Sequence, residues 1–167
     1  MIMSAIRPKR ILIVNIFGIG DVLFTTPLIR NIKENLPESF LGYICNQRAR
    51  AVLLNNPYLD KILVFEKDYY RNLAKSSRLK CLKEFLAFLN CIGKERFDLI
   101  LDLSLSGQVS FFTWLLGIRR RVGFNYKNRG WLLSDKIPIE GYRGKHVVEF
   151  YADLLKSLNF TVNSLNL

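Results

Sequence analysis

The stretch RILIVNIFGIGDVLFTTPLIRNIKENLP, residues 10–37, decides the fold. It runs an apolar strand into a turn with two closely spaced glycines, Gly18 and Gly20, and then into an amphipathic segment headed by Asp21. Val22, Ile29, Ile32 and Leu36 form one helical stripe, with Arg30, Lys33 and Glu34 on the other side. The spacing predicts a helix over 21–36, which Pro37 stops.

The same alternation recurs along the chain. Apolar runs of strand length stand at 11–16, 40–45, 61–65 and 97–103, with helix-period segments between them. That pattern predicts parallel strands joined by crossover helices. Further helices are expected over 69–92 and over 104–116, the second carrying Phe111, Phe112, Trp114 and Leu115 and closed by Gly117 as its C-cap. Short strands are expected at 121–124 and 133–137, then a helix over 145–158 with Val147, Tyr151, Leu154 and Leu158 in register. The fold class is therefore α/β, a Rossmann-like parallel sheet with flanking helices. Residues 1–160 are expected to form one domain, and 161–167 a tail or the stub of an interdomain linker.

Composition narrows the partner. Half of the 167 residues are hydrophobic, enough for one domain with a substantial core. Twenty-five Lys and Arg against fourteen Asp and Glu leave a formal charge of +11, which calls for an anionic partner: phosphate, carboxylate, nucleic acid or an acidic membrane surface. Cys45, Cys81 and Cys91 lack CxxC spacing and His146 is the only histidine, so no metal site is expected. The N-terminus carries no leader pattern, and no run of about eighteen apolar residues is present to span a bilayer. The chain reads as cytoplasmic, with peripheral contact at the cytoplasmic face of the inner membrane as an added expectation.

In an open parallel sheet, ligands bind beyond the carboxyl ends of the strands, and the turn holding Gly18 and Gly20 lies at that edge. A dinucleotide fingerprint would need a third small residue where Leu23 stands, and a P-loop would need Gly-Lys-Ser/Thr at the end of the turn. Both readings fail. Asp21 remains as a first-turn carboxylate whose charge the helix N-terminus favours. It fits either a capping acid or a general base that takes a proton from a sugar hydroxyl. Spacing alone leaves both roles open.

Four blocks carry a resemblance: GIGDVLFTTPLIRNIKENLP at 18–37, NPYLDKILVFEK at 56–67, FDLILDLSLSGQVSFFTWLLGIRRRVGF at 97–124 and KHVVEFYADLLKSL at 145–158. In this order they resemble the N-terminal half of the family-nine glycosyltransferases, the ADP-heptose:lipopolysaccharide heptosyltransferases. The resemblance implies the N-terminal, acceptor-holding domain of a GT-B fold, in which two Rossmann-like domains face a cleft and the C-terminal one holds the nucleotide-sugar. It implies inverting transfer of heptose from ADP-heptose to the lipopolysaccharide inner core, with no cofactor and no structural need for metal. The family's Gly-x-Gly-Asp aspartate, its proposed base, falls on Asp21. The family's enzymes are about twice this length, so the C-terminal donor domain is expected to be absent here, and a separate donor-domain chain is an expected partner. The chain departs from the family pattern after Asp102, where Ser104, Ser106 and Gln108 stand in place of a more basic loop.

Among the cations, Arg119, Arg120, Arg121, Lys127 and Arg129 fall within eleven positions that contain no acid. Arginine forks match phosphate and carboxylate, as an anionic inner-core acceptor requires, although such a cluster also serves as a solvated loop. Lys67, Arg71, Lys75 and Arg78 recur at helical spacing, and the resemblance puts their loop at the acceptor cleft. Lys67 and Arg71 are the expected contacts; Lys75, Arg78, Lys80 and Lys83 read as a wet face or as a patch resting on anionic lipid. His146 opens the last helix as a local hydrogen-bonding residue or a binding residue. Phe111, Phe112 and Trp114 read as core, while Trp131 stays open as a stacking platform.

The expected function is thus the acceptor-binding half of an inverting heptosyltransferase, inactive without its donor half. Asp21 is the catalytic residue; Gly18, Gly20, Lys67, Arg71, Arg119, Arg120, Arg121 and His146 are substrate-binding residues. The alternative is a non-catalytic module that captures an anionic glycan or glycolipid. Nucleic acid is not an expected partner, since no RNP, helix-turn-helix or zinc signature accompanies the charge. Self-association through a cleft face left uncovered is a further expectation.

Overall fold

A computed structural model describes residues 7–142 and 144–167. Part of the N-terminal stretch read for a leader, residues 1–6, lies outside the described residues. The chain runs β1 (Arg10–Val14), α1 (Ile19–Leu23), α2 (Thr26–Asn35), β2 (Phe40–Cys45), α3 (Gln47–Leu53), β3 (Lys61–Val64), α4 (Lys67–Ser76), α5 (Arg78–Gly93), β4 (Leu99–Asp102), α6 (Gly107–Leu115), β5 (Arg120–Tyr126), β6 (Asp135–Ile139) and α7 (Val147–Ser157). The six strands form one sheet in the order β3-β2-β1-β4-β5-β6, with every neighbouring pair parallel. This is the Rossmann order, and its direction of winding reverses between β1 and β4.

Both faces of the central strands are buried, which is why they read as unbroken apolar runs rather than as alternation. One face, with Ile11, Ile13, Leu41, Tyr43, Leu99, Leu101 and Phe124, packs against α2, α3 and α7. The other, with Leu12, Val14, Ile44 and Ile100, packs against Ile92 of α5 and Val109 of α6.

Two predicted helices are each broken in two. The segment 21–36 divides because Pro27 has no N–H and its ring excludes the regular position of the Leu23 carbonyl. The Thr26 hydroxyl takes that carbonyl instead, at 2.9 Å, and buried Thr25 donates to the Val22 carbonyl at 2.7 Å. The segment 69–92 divides at Ser77, which is extended (φ −156°, ψ 104°) and whose hydroxyl accepts from the Lys80 N–H at 3.3 Å to cap α5. The helix expected from 104 starts only at Gly107, and Gly117 follows its end with φ +70°, as a C-terminal glycine does.

Residues 127–134 cross from β5 to β6 without a helix. Lys127 and Asn128 turn the chain in the left-handed region (φ 50° and 59°). The residues from Asn159 onward lie along α2. Asn31, fully buried, accepts from the Asn163 N–H at 2.7 Å and donates to the Ser164 carbonyl at 2.7 Å, while Asn35 accepts from the Thr161 N–H at 2.8 Å.

Candidate functional site

The carboxyl ends of β1 and β4 flank the point where the sheet reverses, and that is where a crevice opens in this topology. The turn after β1 is fixed from below. Buried Asn15 accepts from the Phe17 N–H at 3.1 Å and donates to the Asp21 carbonyl at 3.3 Å, and Asn46, at the end of β2, donates to the Phe17 carbonyl at 2.6 Å. Gly18 is the N-cap of α1 and Asp21 sits in its first turn, half-buried. Among the described residues the Asp21 carboxylate accepts no hydrogen bond and joins no ion pair, so it does not cap α1.

Gly18 and Gly20 are both exposed, and neither has a positive φ. A Cβ on Gly18 would lie 3.5 Å from Asp21 Oδ2, an ordinary contact, and one on Gly20 would meet nothing within 4 Å among the described residues. Their missing side chains leave the space beside the carboxylate open. Behind Asp21 lie Tyr43, Tyr142 and Tyr151, whose hydroxyls burial pushes up from the usual phenol value, far up for Tyr43 and Tyr151, with the Asp21 charge adding in the same direction. These groups stay neutral and make a low-dielectric floor.

Asp102, at the end of β4, is a carboxylate of a different kind. It is fully buried and accepts from the Ser104 N–H at 3.0 Å, the Ser104 hydroxyl at 2.6 Å and the Ser110 hydroxyl at 2.9 Å. Burial raises its pKa, and these hydrogen bonds oppose the rise without reversing it. Its role is to hold the loop between β4 and α6.

Beside that loop lies an open cavity of about 1060 Å³. Lys67 and Arg71 of α4 line one wall, Ser106, Gly107 and Gln108 at the start of α6 another, and Arg129 and Trp131 of the crossover a third. Phe65, Tyr70, Phe111 and Phe112 supply an aromatic base, and Ile16 links the cavity to the β1 turn. The cations, an open helix N-terminus and stacking rings together suit an anionic ligand with a flat or apolar face.

Of the expected binding residues, Lys67 and Arg71 line this cavity, whereas Gly18, Gly20 and Asp21 do not; they stand on the turn after β1, from which Ile16 alone reaches it. Arg119, Arg120 and Arg121 do not reach it. They lie at or just before the start of β5, on the amino edge of a parallel sheet, and seven strand residues carry the chain about 20 Å before Lys127 emerges on the carboxyl edge. Arg121 is taken up by the backbone, its Nε donating to the Leu132 carbonyl at 2.9 Å, and Arg120 stands 3.9 Å from Asp135. His146 is the N-cap of α7: its Nδ1 accepts from the Val148 N–H at 3.4 Å, its N–H donates to Glu149 at 3.0 Å, and its ring meets Phe24 edge-on at 4.8 Å.

Arg129, read with the 119–129 cluster, and Trp131, left open as a stacking platform, line the cavity although neither is among the expected binding residues. The signal was in the sequence, because the strand predicted at 121–124 separates the two halves of the arginine cluster. Gly107 lets the crossover approach: a Cβ there would stand 3.3 Å from the Arg129 carbonyl and 3.5 Å from the Trp131 indole nitrogen.

Residues 85–165 match the family model of glycosyltransferase family 9 (heptosyltransferase). The chain is 22% identical over 144 residues to lipopolysaccharide heptosyltransferase 3 of Escherichia coli strain K12, an alignment that takes in 85% of this chain and 40% of that protein. Among solved structures, it is similar to E. coli heptosyltransferase WaaC with ADP-2-deoxy-2-fluoro heptose (TM-score 0.79, 18% identity, 92% of this chain and 50% of that one). It is also similar to a family 9 glycosyl transferase from Veillonella parvula (TM-score 0.71, 19% identity, 99% and 44%). The chain thus spans half or less of the length of these relatives, and its sheet is that of a GT-B domain.

Proposed function

We propose, from the premise that this chain is a relative of the family-nine heptosyltransferases, that it is the acceptor-holding half of an inverting glycosyltransferase that builds the lipopolysaccharide core. The observation that carries the reading is the carboxyl edge itself, where a carboxylate that has no hydrogen-bond donor among the described residues stands on the turn whose Ile16 borders a cation-lined cavity. In the complete reaction Asp21 takes the proton from an acceptor hydroxyl as its oxygen attacks the anomeric carbon of the heptose. The bond from that carbon to the diphosphate breaks from the opposite face, and ADP leaves with the electron pair. Lys67, Arg71 and Arg129 hold the acceptor's anionic groups, and Trp131 lies against a sugar face. The donor is held by the facing domain of the complete enzyme, so these 167 residues alone are expected to bind acceptor without turning it over.

Calorimetry with a delipidated, phosphorylated inner-core acceptor tests this. The wild-type chain binds, Arg71→Ala and Arg129→Ala each weaken binding by about tenfold or more, and Arg120→Ala leaves it unchanged. Asp21→Asn keeps binding but removes transfer from ADP-heptose when a donor-domain chain is supplied, a loss of roughly a hundredfold or more. Binding with undiminished transfer in Asp21→Asn refutes the base assignment. Binding without any transfer by the wild-type mixture favours the non-catalytic glycan-binding module.

A further inference from the structure

Helices α5 and α6 lie side by side on one face of the sheet, joined through Phe85 and Phe112, whose ring centroids are 4.6 Å apart. Their inner residues are accounted for by the core; their outer ones are not. On α5, Leu79, Leu82 and Leu86 follow one another at helical spacing and are 80%, 54% and 54% exposed. On α6, Phe111, Trp114 and Leu115 are exposed in the same way, with Phe111 and Trp114 stacked at 6.0 Å. Trp131, 64% exposed, stands next to the start of α6. Scattered apolar residues on a surface need no account, but two adjacent helices that each turn a stripe outward do.

The charge around these stripes identifies what covers them. The α4–α5 hairpin, residues 67–93, carries six cations against two acids. Lys75, Arg78, Lys80 and Lys83 are exposed around the leucine stripe. The rim is of one sign, which an anionic surface complements along its whole length. An anionic bilayer surface matches every element: leucines and aromatic rings enter the acyl boundary, tryptophan sits at headgroup level, and the lysines and arginines meet lipid phosphates. We infer that the outer face of α5 and α6 is an interfacial docking surface for an anionic membrane.

Arg71 and Phe111 of the cavity lie at the margin of this face. A lipid-linked anionic glycan would therefore meet the cavity without leaving the bilayer. That last step rests on the acceptor reading, whereas docking does not.

The chain's two tryptophans both lie on this face, so intrinsic fluorescence reports on it directly. Vesicles of phosphatidylcholine with phosphatidylglycerol are expected to shift the emission to the blue and to co-sediment the protein, while vesicles of phosphatidylcholine alone leave it in solution. Lys80→Gln with Lys83→Gln lowers partitioning roughly thirtyfold. Leu82→Asp with Leu86→Asp, at positions too exposed to disturb the core, abolishes both the shift and the sedimentation. The inference is overturned if anionic vesicles at low salt produce no shift. It is equally overturned if the leucine variants bind like wild type, or if their only effect is to turn a dimer into a monomer, which would make a second copy the occupant. No glycan is present in this experiment, so its failure leaves the acceptor reading untouched.

Discussion

Asp21 and Asp102 end neighbouring parallel strands or the turns after them, yet their surroundings give them opposite tasks. Asp21 faces open space left by Gly18 and Gly20, whereas Asp102 is fully buried among hydroxyls. Burial raises the folded-state pKa of Asp102, so the unfolded chain gives up this proton first, starting near pH 4. Above that pH the folded state binds more protons than the unfolded one, and stability contributed at this site falls as pH rises until the raised pKa is passed. Asp102→Asn removes the titration while keeping an oxygen for Ser104 and offering an N–H to Ser110. Thermal melts of the two proteins should therefore diverge in favour of the variant from about pH 4 upward; parallel curves would show that Asp102 has an ordinary pKa. The sequence places both acids at strand ends, but their opposite environments come from the packing around them.

At the scale of elements, the helix-free crossover after β5 does the most to shape the cavity. It depends on Gly130, where an added Cβ would stand 2.8 Å from a Leu133 methyl, and the strand that leads into it depends on Gly123, where one would stand 2.5 Å from the Asp102 carbonyl oxygen of β4. Gly123→Ala pushes backbone against backbone and should cost about 1–3 kcal/mol in urea denaturation. Gly20→Ala, with nothing within 4 Å among the described residues, should stay within about 0.5 kcal/mol while narrowing the space beside Asp21, so its effect is expected in acceptor binding. The helix and strand types were legible in the sequence because apolar period follows burial. The break at Thr25 was also legible, in Pro27, whereas the break at Ser77 had only a serine pair to announce it. Arg129 and Trp131 were legible as residues but not as cavity walls, since their place depends on a crossover too short to contain a helix.

At the scale of the whole molecule, the last residues are part of the fold. Ending the chain after Phe160 strips the fully buried Asn31 of its bonds to Asn163 and Ser164, and should cost about 1–3 kcal/mol for the amide left without partners. Removing only residues 165–167, where Leu165 and Leu167 are exposed, should leave the urea midpoint unchanged. The amino edge of the sheet is closed by charge: Glu95 pairs with Arg10 at 2.8 Å and with Lys61, and the hydrogen bond from Lys61 above all holds its carboxyl below the usual range. The sequence by itself determined the parallel α/β class, the strand positions and the acid at the glycine turn, because hydrophobic period and turn chemistry are local properties of the chain. Only the tertiary structure decided which arginines share an edge with Asp21, which carboxylate is buried and which helix faces remain uncovered. Each of these depends on the direction and order in which strands are laid beside one another, and a parallel sheet sends the two ends of every strand to opposite sides of the molecule.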